Sequence, residues 1–377
     1  MIVTFGPFAS PDNGIAVRSV MVARCLVRMG VTVDVFSVEE VDSTSVGGEN
    51  GGSIDAANVG TSDQLKATAI STIPRFALGA RSRRLLRYEA RRHDALIVES
   101  ALLLPALWLA GVRRPIIWDT TELESLHYAR RPKTLSVLAK RLMWNVLERW
   151  SVRKADVVVS ISTVEASEWS QRFPACMGKL MVADHAVLTD PVRICESELN
   201  RHGAVVFVGT LRAKQNRIAA EWIIQRLAPQ LEASQARIVM AGRDTDLLTV
   251  SSPNVKLLGF VEDLSGIIAG ASICIAPLHT AAGTSTKILD YIRQGSRVLA
   301  TPVAAVGLDD CPGITVASLE EFPAVLGELL ANPESAQQAA SRRMAQEAWY
   351  EEHCGQAHLI AQWRAILERV GISLGDE

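Results

Sequence analysis

Lys287 and Asp290 stand three residues apart in APLHTAAGTSTKILDYIRQGSRVLATP (276–302), a run that reads as strand, small-residue loop, helix, glycine stop and strand. At about 1.5 Å of rise per residue, the two side chains share one helix face about 4.5 Å apart along the axis. The loop before them has the composition of an anion site. Gly283 lets the backbone approach a ligand closely, and Thr284, Ser285 and Thr286 add hydroxyls and candidate N-caps. The helix opening near Lys287 aims unpaired N–H groups at the same place. A cation beside a carboxylate suits a nucleotide diphosphate bearing a sugar. The Lys and the helix end meet phosphate charge, and the carboxylate accepts hydrogen bonds from neutral hydroxyls. A surface ion pair at i,i+3 is the alternative role for the same two residues.

Other chemistries find less support. Cys25, Cys176, Cys195, Cys274, Cys311 and Cys354 form no CxxC pair and no dense framework, so neither a zinc site nor a disulfide scaffold is expected. No G-x-G-x-x-G follows a first strand, which argues against a dinucleotide oxidoreductase; GPFASPDNG stands there instead. A net charge of -2 gives no global pull toward nucleic acid. Locally the balance is different: residues 64–154 hold eighteen Lys/Arg against seven Asp/Glu. Within them RFALGARSRRLLRYEARR (75–92) permits a helix with a cationic face, Arg81 to Arg92, suited to an anionic lipid surface or an acidic acceptor; a solvated helix is the alternative.

The elements that must position these residues repeat one grammar. Near-continuous apolar runs at 2–6, 31–38, 95–100, 115–119, 156–162 and 179–183 read as buried parallel strands separated by helices. The pattern restarts at 205–209, 237–242, 255–259, 273–278, 297–302 and 314–317. An α/β fold of two doubly wound parallel-sheet domains is expected. The expected boundaries are 1–188 and 189–354, with a helix at about 355–377 packing back on the first domain and 189–203 as linker. Residues 41–64, rich in Gly, Ser, Asn and Asp, read as a loop. Residues 334–371 read as helical, with Trp349, Tyr350 and Trp363 as packing anchors. No basic-then-apolar leader and no run of about 18 apolar residues occurs, so a cytoplasmic protein is expected, at most peripheral to a membrane.

The 276–302 segment resembles the donor-site signature of the family 4 glycosyltransferases, retaining enzymes of the GT-B fold, in which two Rossmann-like domains face each other across a cleft. Gly283, Thr284, Lys287, Leu289 and Gly295 match the pattern G-T-x-x-K-x-L-E-A-x-A-x-G, and Asp290 stands where the family has a ribose-binding Glu. Ala282 occupies the place of another family Glu that contacts the donor sugar. VVFVGTLRAKQNRIAAEWIIQRLAP (205–229), with Gly209, resembles the entry of the donor domain, and the resemblance makes Arg212 and Lys214 candidate diphosphate cations. It also places base recognition on the backbone near Phe260 and Val261. In the first domain GPFASPDNGIAVRSVMVARCLVRMGVTVDVFS (6–37) resembles the family's glycine loop and helix, with Gly14 near phosphate or acceptor. PIIWDTTELESLHYARR (115–131) matches a stretch where relatives carry a histidine near the reacting sugar; Thr121 stands there, and Glu122, Glu124 and His127 are its neighbours.

These readings together imply a metal- and cofactor-independent transfer of a sugar from a nucleotide-diphosphate donor to a glycan, lipid-linked or small-molecule acceptor, with retention. Lys287, Arg212 and Lys214 are the expected catalytic cations, because one charge at 4 Å is worth about 4 kcal/mol at an effective dielectric of 20. The D-x-D at Asp244–Asp246, a metal–nucleotide pattern in another glycosyltransferase fold, reads here as a helix-capping loop. The alternatives are a catalytically impaired GT-B module that binds a sugar nucleotide or a partner glycosyltransferase, suggested by Ala282 and Thr121, and a nucleotide-sugar epimerase.

Overall fold

The computed structural model describes residues 1–5, 14–39, 65–71, 80–120, 123–129, 134–187, 204–232, 236–250, 252–280, 285–308 and 310–374. The expected loop 41–64 and linker 189–203 lie outside them. The chain divides into two compact units, Met1–Ala186 with Gln356–Glu377, and Val187–Gly355.

The first unit is built on a seven-stranded, wholly parallel sheet. It runs through β1 (Ile2–Phe5), α1 (Gly14–Arg28), β2 (Val33–Glu39), β3 (Leu65–Ser71), α2 (Ala80–Ala90), β4 (Leu96–Val98) and α3 (Leu104–Leu109). It continues with β5 (Ile116–Asp119), α4 (Glu124–Ala129), α5 (Leu135–Lys154), β6 (Val157–Ser160), α6 (Thr163–Arg172) and β7 (Leu180–Val182). The strand order is β3-β2-β1-β4-β5-β6-β7. Ile2 pairs with Val35 on one side and Ile97 on the other, so the connectivity reverses between β1 and β4. The buried strands β4 and β6 read LIV and VVVS because helices cover both faces. Trp118 and Trp169 meet edge to face at 5.1 Å in the core. Helix starts are set by local chemistry: the Thr134 side chain accepts from Val137 N–H before α5, and Ser162 from Glu165 N–H before α6.

The second unit holds a six-stranded parallel sheet in the order β10-β9-β8-β11-β12-β13. After β8 (Ala204–Val208), α7 (Lys214–Trp222) passes through one wide π turn, Ile223–Leu227, into α8 (Ala228–Leu231). Pro229, which has no N–H to continue the ladder, lies just beyond that turn. Then follow β9 (Arg237–Ala241), β10 (Val255–Leu257), α9 (Ser265–Ala269), β11 (Ile273–Ala276), α10 (Thr286–Arg293), β12 (Val298–Ala300) and β13 (Ile314–Val316). Helix α10 stops at Gly295, whose φ of 67° suits glycine. The N–H groups of Gly295 and Ser296 cap it by bonding to Ile292 and Tyr291 carbonyls. After α11 (Phe322–Ala331), α12 (Ala336–His353) opens on a reciprocal Ser335–Gln338 capping box. α13 (Gln356–Arg369) returns to the first unit and packs on α1. Trp349, Tyr350 and Trp363 are all buried.

All twelve apolar runs form strands, and β3 is an addition that periodicity did not supply. Among the described residues no helix is long and apolar enough to cross a membrane.

Candidate active site

Strand order reverses between β8 and β11 in the second unit, and this switch point is where a doubly wound sheet opens a crevice at its carboxyl ends. α7 leaves β8 in one direction and α10 leaves β11 in the other. Right-handed crossovers therefore put the two helices on opposite faces and bring both N-termini to this crevice. Lys287, second residue of α10, and Asn216, in the first turn of α7, meet there: the ammonium donates to Asn216 Oδ1 at 2.5 Å. The same ammonium lies 4.6 Å from the centre of the Phe207 ring. The residue as a whole is half-buried, but its charged end is densely enclosed, and desolvation lowers its pKa to about 7.

Close backbone packing holds this pair in place. A Cβ on Gly209 would sit 2.9 Å from the Asn216 amide, and one on Gly242 would sit 2.3 Å from Gly209 O. The backbone around Gly242 thus excludes a side chain, while one at Gly209 would have to displace the Asn216 amide, whose Nδ2 closes the turn by donating to Thr210 O at 3.0 Å. On the other side Tyr291 Oη accepts from Val208 N–H at 2.8 Å, which locks α10 to the end of β8. Ser285 precedes α10 as its N-cap residue, nearly buried, but its side chain makes no capping hydrogen bond, so the expected cap is absent there.

Around the crevice, Arg212 Nε approaches Asp244 Oδ2 at 3.4 Å with both side chains exposed. Such a pair is worth at most about 1 kcal/mol and leaves the guanidinium available to a stronger anion. Asp244 has a φ of 67° and does not cap the short turn after it, contrary to the capping reading of the D-x-D. The Thr245 hydroxyl donates back to Gly242 O and closes the turn that carries Asp244. Lys214 opens α7 with an exposed side chain. Phe260 is exposed beyond β10 with the Arg243 guanidinium 4.4 Å from its ring centre, and Val261 is half-buried beside it. Asp290 is half-buried on α10. Gly283, Thr284 and Ala282 lie outside the described residues.

The first unit has its own switch point, between β1 and β4, and a buried polar cluster lies at it. Arg18 of α1 grips Asp119 at the end of β5 with Nε at 2.8 Å from Oδ2 and Nη2 at 2.6 Å from Oδ1. It also donates to the Ala183 and Asp184 carbonyls. Both charged side chains are essentially without solvent contact. Glu99, directly after β4, is buried too, and burial pushes its carboxyl up to about 8. The Ser19 and Thr4 hydroxyls are near enough to oppose that shift, yet neither carboxyl oxygen meets a donor at full hydrogen-bonding geometry. Gly14 begins α1. Thr121 and Glu122 lie outside the described residues, as does the side chain of His127.

Sequence reasoning missed Asn216, Arg18, Asp119 and Glu99. Two of them carried a signal: Arg18 places a cation on the apolar stripe of α1, and Glu99 closes the buried run LIV with a carboxyl group.

Comparison with known proteins follows the same division. The model for "Glycosyl transferases group 1" matches residues 202–332, and that for "Glycosyl transferase 4-like domain" matches residues 13–175. Comparison with curated protein sequences gave no match. Among solved structures, sucrose-phosphate synthase from Thermosynechococcus elongatus is similar with a TM-score of 0.66 at 15% identity, over 98% of this chain and 97% of that one. HepE from Anabaena in complex with UDP-glucose has a TM-score of 0.68 at 13% identity, over 97% and 99%. The trehalose-6-phosphate protein from E. coli bound with UDP-2-fluoro glucose has a TM-score of 0.64 at 12% identity, over 98% and 99%. At such identities these likenesses establish the fold.

Proposed function

We propose that this chain, which belongs to the group 1 glycosyltransferases of the GT-B fold, moves a sugar from a nucleotide-diphosphate donor held by its second unit to an acceptor hydroxyl, with retention and without a metal ion. The observation that carries this reading is the Lys287–Asn216 contact at the β8/β11 switch point, where two helix N-termini converge on one cation. That UDP and UDP-sugars are named in the complexes of HepE and of the E. coli protein supports a sugar nucleotide as the ligand class.

In the transfer, the bond from the anomeric carbon to the diphosphate oxygen breaks and its electron pair leaves with the diphosphate. The acceptor oxygen bonds to the same face of that carbon, and its proton passes to the departing phosphate oxygen. Charge accumulates on the leaving group, so the transferable stabilisation lies in Lys287, assisted by Arg212, which a weak ion pair releases, or by Lys214. On this reading Gly283, Thr284, Ser285 and the α10 N-terminus cradle phosphate, while Asp290 accepts from ribose hydroxyls. Gly209 admits the backbone closely, and the backbone at Phe260 and Val261 reads the base.

The acceptor, a glycan, a lipid-linked sugar or a small molecule, falls to the first unit near Gly14, Thr121 and Glu122. The Arg81–Arg92 stretch, α2 and the turn that follows it, makes peripheral contact with an anionic membrane. Ala282, in place of a sugar-contacting Glu, motivates the second reading, a module that binds a sugar nucleotide without turning it over.

The test is a screen of UDP, GDP, ADP and dTDP sugars by thermal shift and calorimetry on wild type and Lys287→Ala, followed by product analysis with and without acceptor. Selective binding lost in the variant, with acceptor-dependent release of nucleotide, is the expected result. Binding without release leaves the second reading standing. Absence of binding to every donor defeats both.

A further inference from the structure

α4 packs along one side of α5, but among the described residues nothing of the first unit covers the outer face of α5. Trp144, Glu148, Ser151 and Val152 point into the core, yet Leu135, Leu138, Leu142 and Val146, spaced three or four residues apart, are exposed, Leu135 by 87%, Leu142 by 66% and Val146 by 63%. A helix apolar on both its inner and outer sides calls for a cover on each. The patch extends beyond α5. Trp108 of α3, 58% exposed, meets Trp150 edge to face at 6.3 Å and carries Lys154 5.7 Å from its ring centre. Arg87 of α2 lies against Gly111, just past α3, and Arg114 donates to Arg91 O. Their crossovers put α2, α3 and α5 on the same face of the sheet, opposite α1.

Charge identifies the cover. Residues 80–92, 108–114 and 135–154 together contain thirteen Lys/Arg and only two acids, Glu89 and Glu148, the second of them buried. An isologous pair of copies would set this cationic face against itself. We propose that the α2–α3–α5 face docks on an anionic lipid surface, with the α5 row and Trp108 entering the acyl boundary and the surrounding cations meeting headgroups. This deepens, and rests on, the reading that the α2 arginines contact an anionic membrane; what it adds is the apolar insertion face of α5 and α3.

The experiment is co-sedimentation of the full chain with vesicles of phosphatidylcholine containing roughly 30% phosphatidylglycerol, against phosphatidylcholine alone, at low and at near-physiological salt. Sedimentation velocity of the free protein runs beside it. Wild type is expected to partition at least tenfold more strongly onto the anionic vesicles. Leu142→Glu/Val146→Glu should lower that partition at least tenfold with no change in melting temperature, since both side chains are already exposed. Arg83→Glu/Arg87→Glu/Arg91→Glu should weaken it by about fivefold or more per cation.

If the α5 variant binds like wild type while the α2 variant does not, the insertion face is wrong and the basic contact stands. If wild type ignores anionic vesicles even at low salt, both readings fall. If the free protein sediments as a dimer that the α5 variant dissociates, a second copy covers the face and the proposal is overturned.

Discussion

Donor binding should be linked to uptake of a proton by Lys287. Burial lowers its ammonium to about 7, so near neutrality only about half of the molecules carry the charge. A diphosphate oxygen about 4 Å away contributes about 4 kcal/mol at an effective dielectric of 20, which at about 1.4 kcal/mol per unit raises the bound-state pKa by about three units. The sign follows directly: the liganded protein holds a proton that the unliganded protein loses above about pH 7, so affinity falls as pH rises. Between about pH 7 and pH 10 the loss is about tenfold per unit, and at about pH 8 close to 0.9 proton is taken up per site.

Isothermal titration with UDP-glucose in buffers of different ionisation enthalpy measures that number as the slope of apparent enthalpy. At about pH 8 neither the diphosphate nor the uracil ring of UDP-glucose titrates appreciably, so the uptake measured there belongs to the protein. Lys287→Arg, charged throughout, should give a slope near zero and a flat pH profile. Binding by wild type with no proton uptake at about pH 8 would refute the placement of Lys287 against the diphosphate.

Asn216→Ala removes the acceptor that orients Lys287 and should lower kcat/KM about tenfold, roughly 1.4 kcal/mol, in steady-state assays. Gly209→Ala drives a methyl group to 2.9 Å from the Asn216 amide and should reduce donor affinity and melting temperature together; unchanged values for both would show that the turn tolerates a side chain. Asp119→Ala strands the Arg18 charge in the core and should cost about 3–5 kcal/mol in urea unfolding, most of it recovered by Arg18→Met/Asp119→Leu. Glu99, raised to about 8 by burial, binds a proton in the folded state that the unfolded chain has lost above about pH 4.5, so it reduces stability progressively as pH rises toward 8. Glu99→Gln should flatten that dependence and raise the melting temperature near neutrality; an unaltered pH profile of unfolding would contradict it.

The sheets were legible because strands such as LIV, VVVS and ICIA are buried on both faces, which forces unbroken apolar runs. β3 escaped for the opposite reason. Among the described residues LKATAIS pairs only with β2, at the sheet edge, and its small and polar alternation blends into the polar segment before it. Within the site, Lys287 announced itself through local signals, a glycine loop and a helix start. Asn216 had none: its importance comes from the backbone contacts of Gly209 with Gly242 and from a partner 71 positions away. Arg18 and Asp119 are separated by 101 positions, and only the folded sheet shows that the end of β5 meets α1. Local spacing reveals where helices begin, whereas which side chains face each other across a switch point depends on strand order.

The two units share one strand order, the first with one strand more, and differ in electrostatics at the equivalent place. At the β8/β11 switch point the hydrogen-bond partner of the Lys287 ammonium among the described residues is a neutral amide, and helix N-termini add to its field, so an anionic ligand would complete its charge. At the β1/β4 switch point the guanidinium of Arg18 is already neutralised by Asp119, and burial keeps Glu99 protonated near neutrality. A diphosphate brought to the first would replace lost solvation with a salt contact, but at the second it would find its cation already matched and Asp119 repelling it. Neutral hydroxyls fit the second better, because a protonated Glu99 both donates and accepts. On the proposed reading, the assignment of donor to one unit and acceptor to the other therefore rests on which buried charge lacks a counter-charge among the described residues.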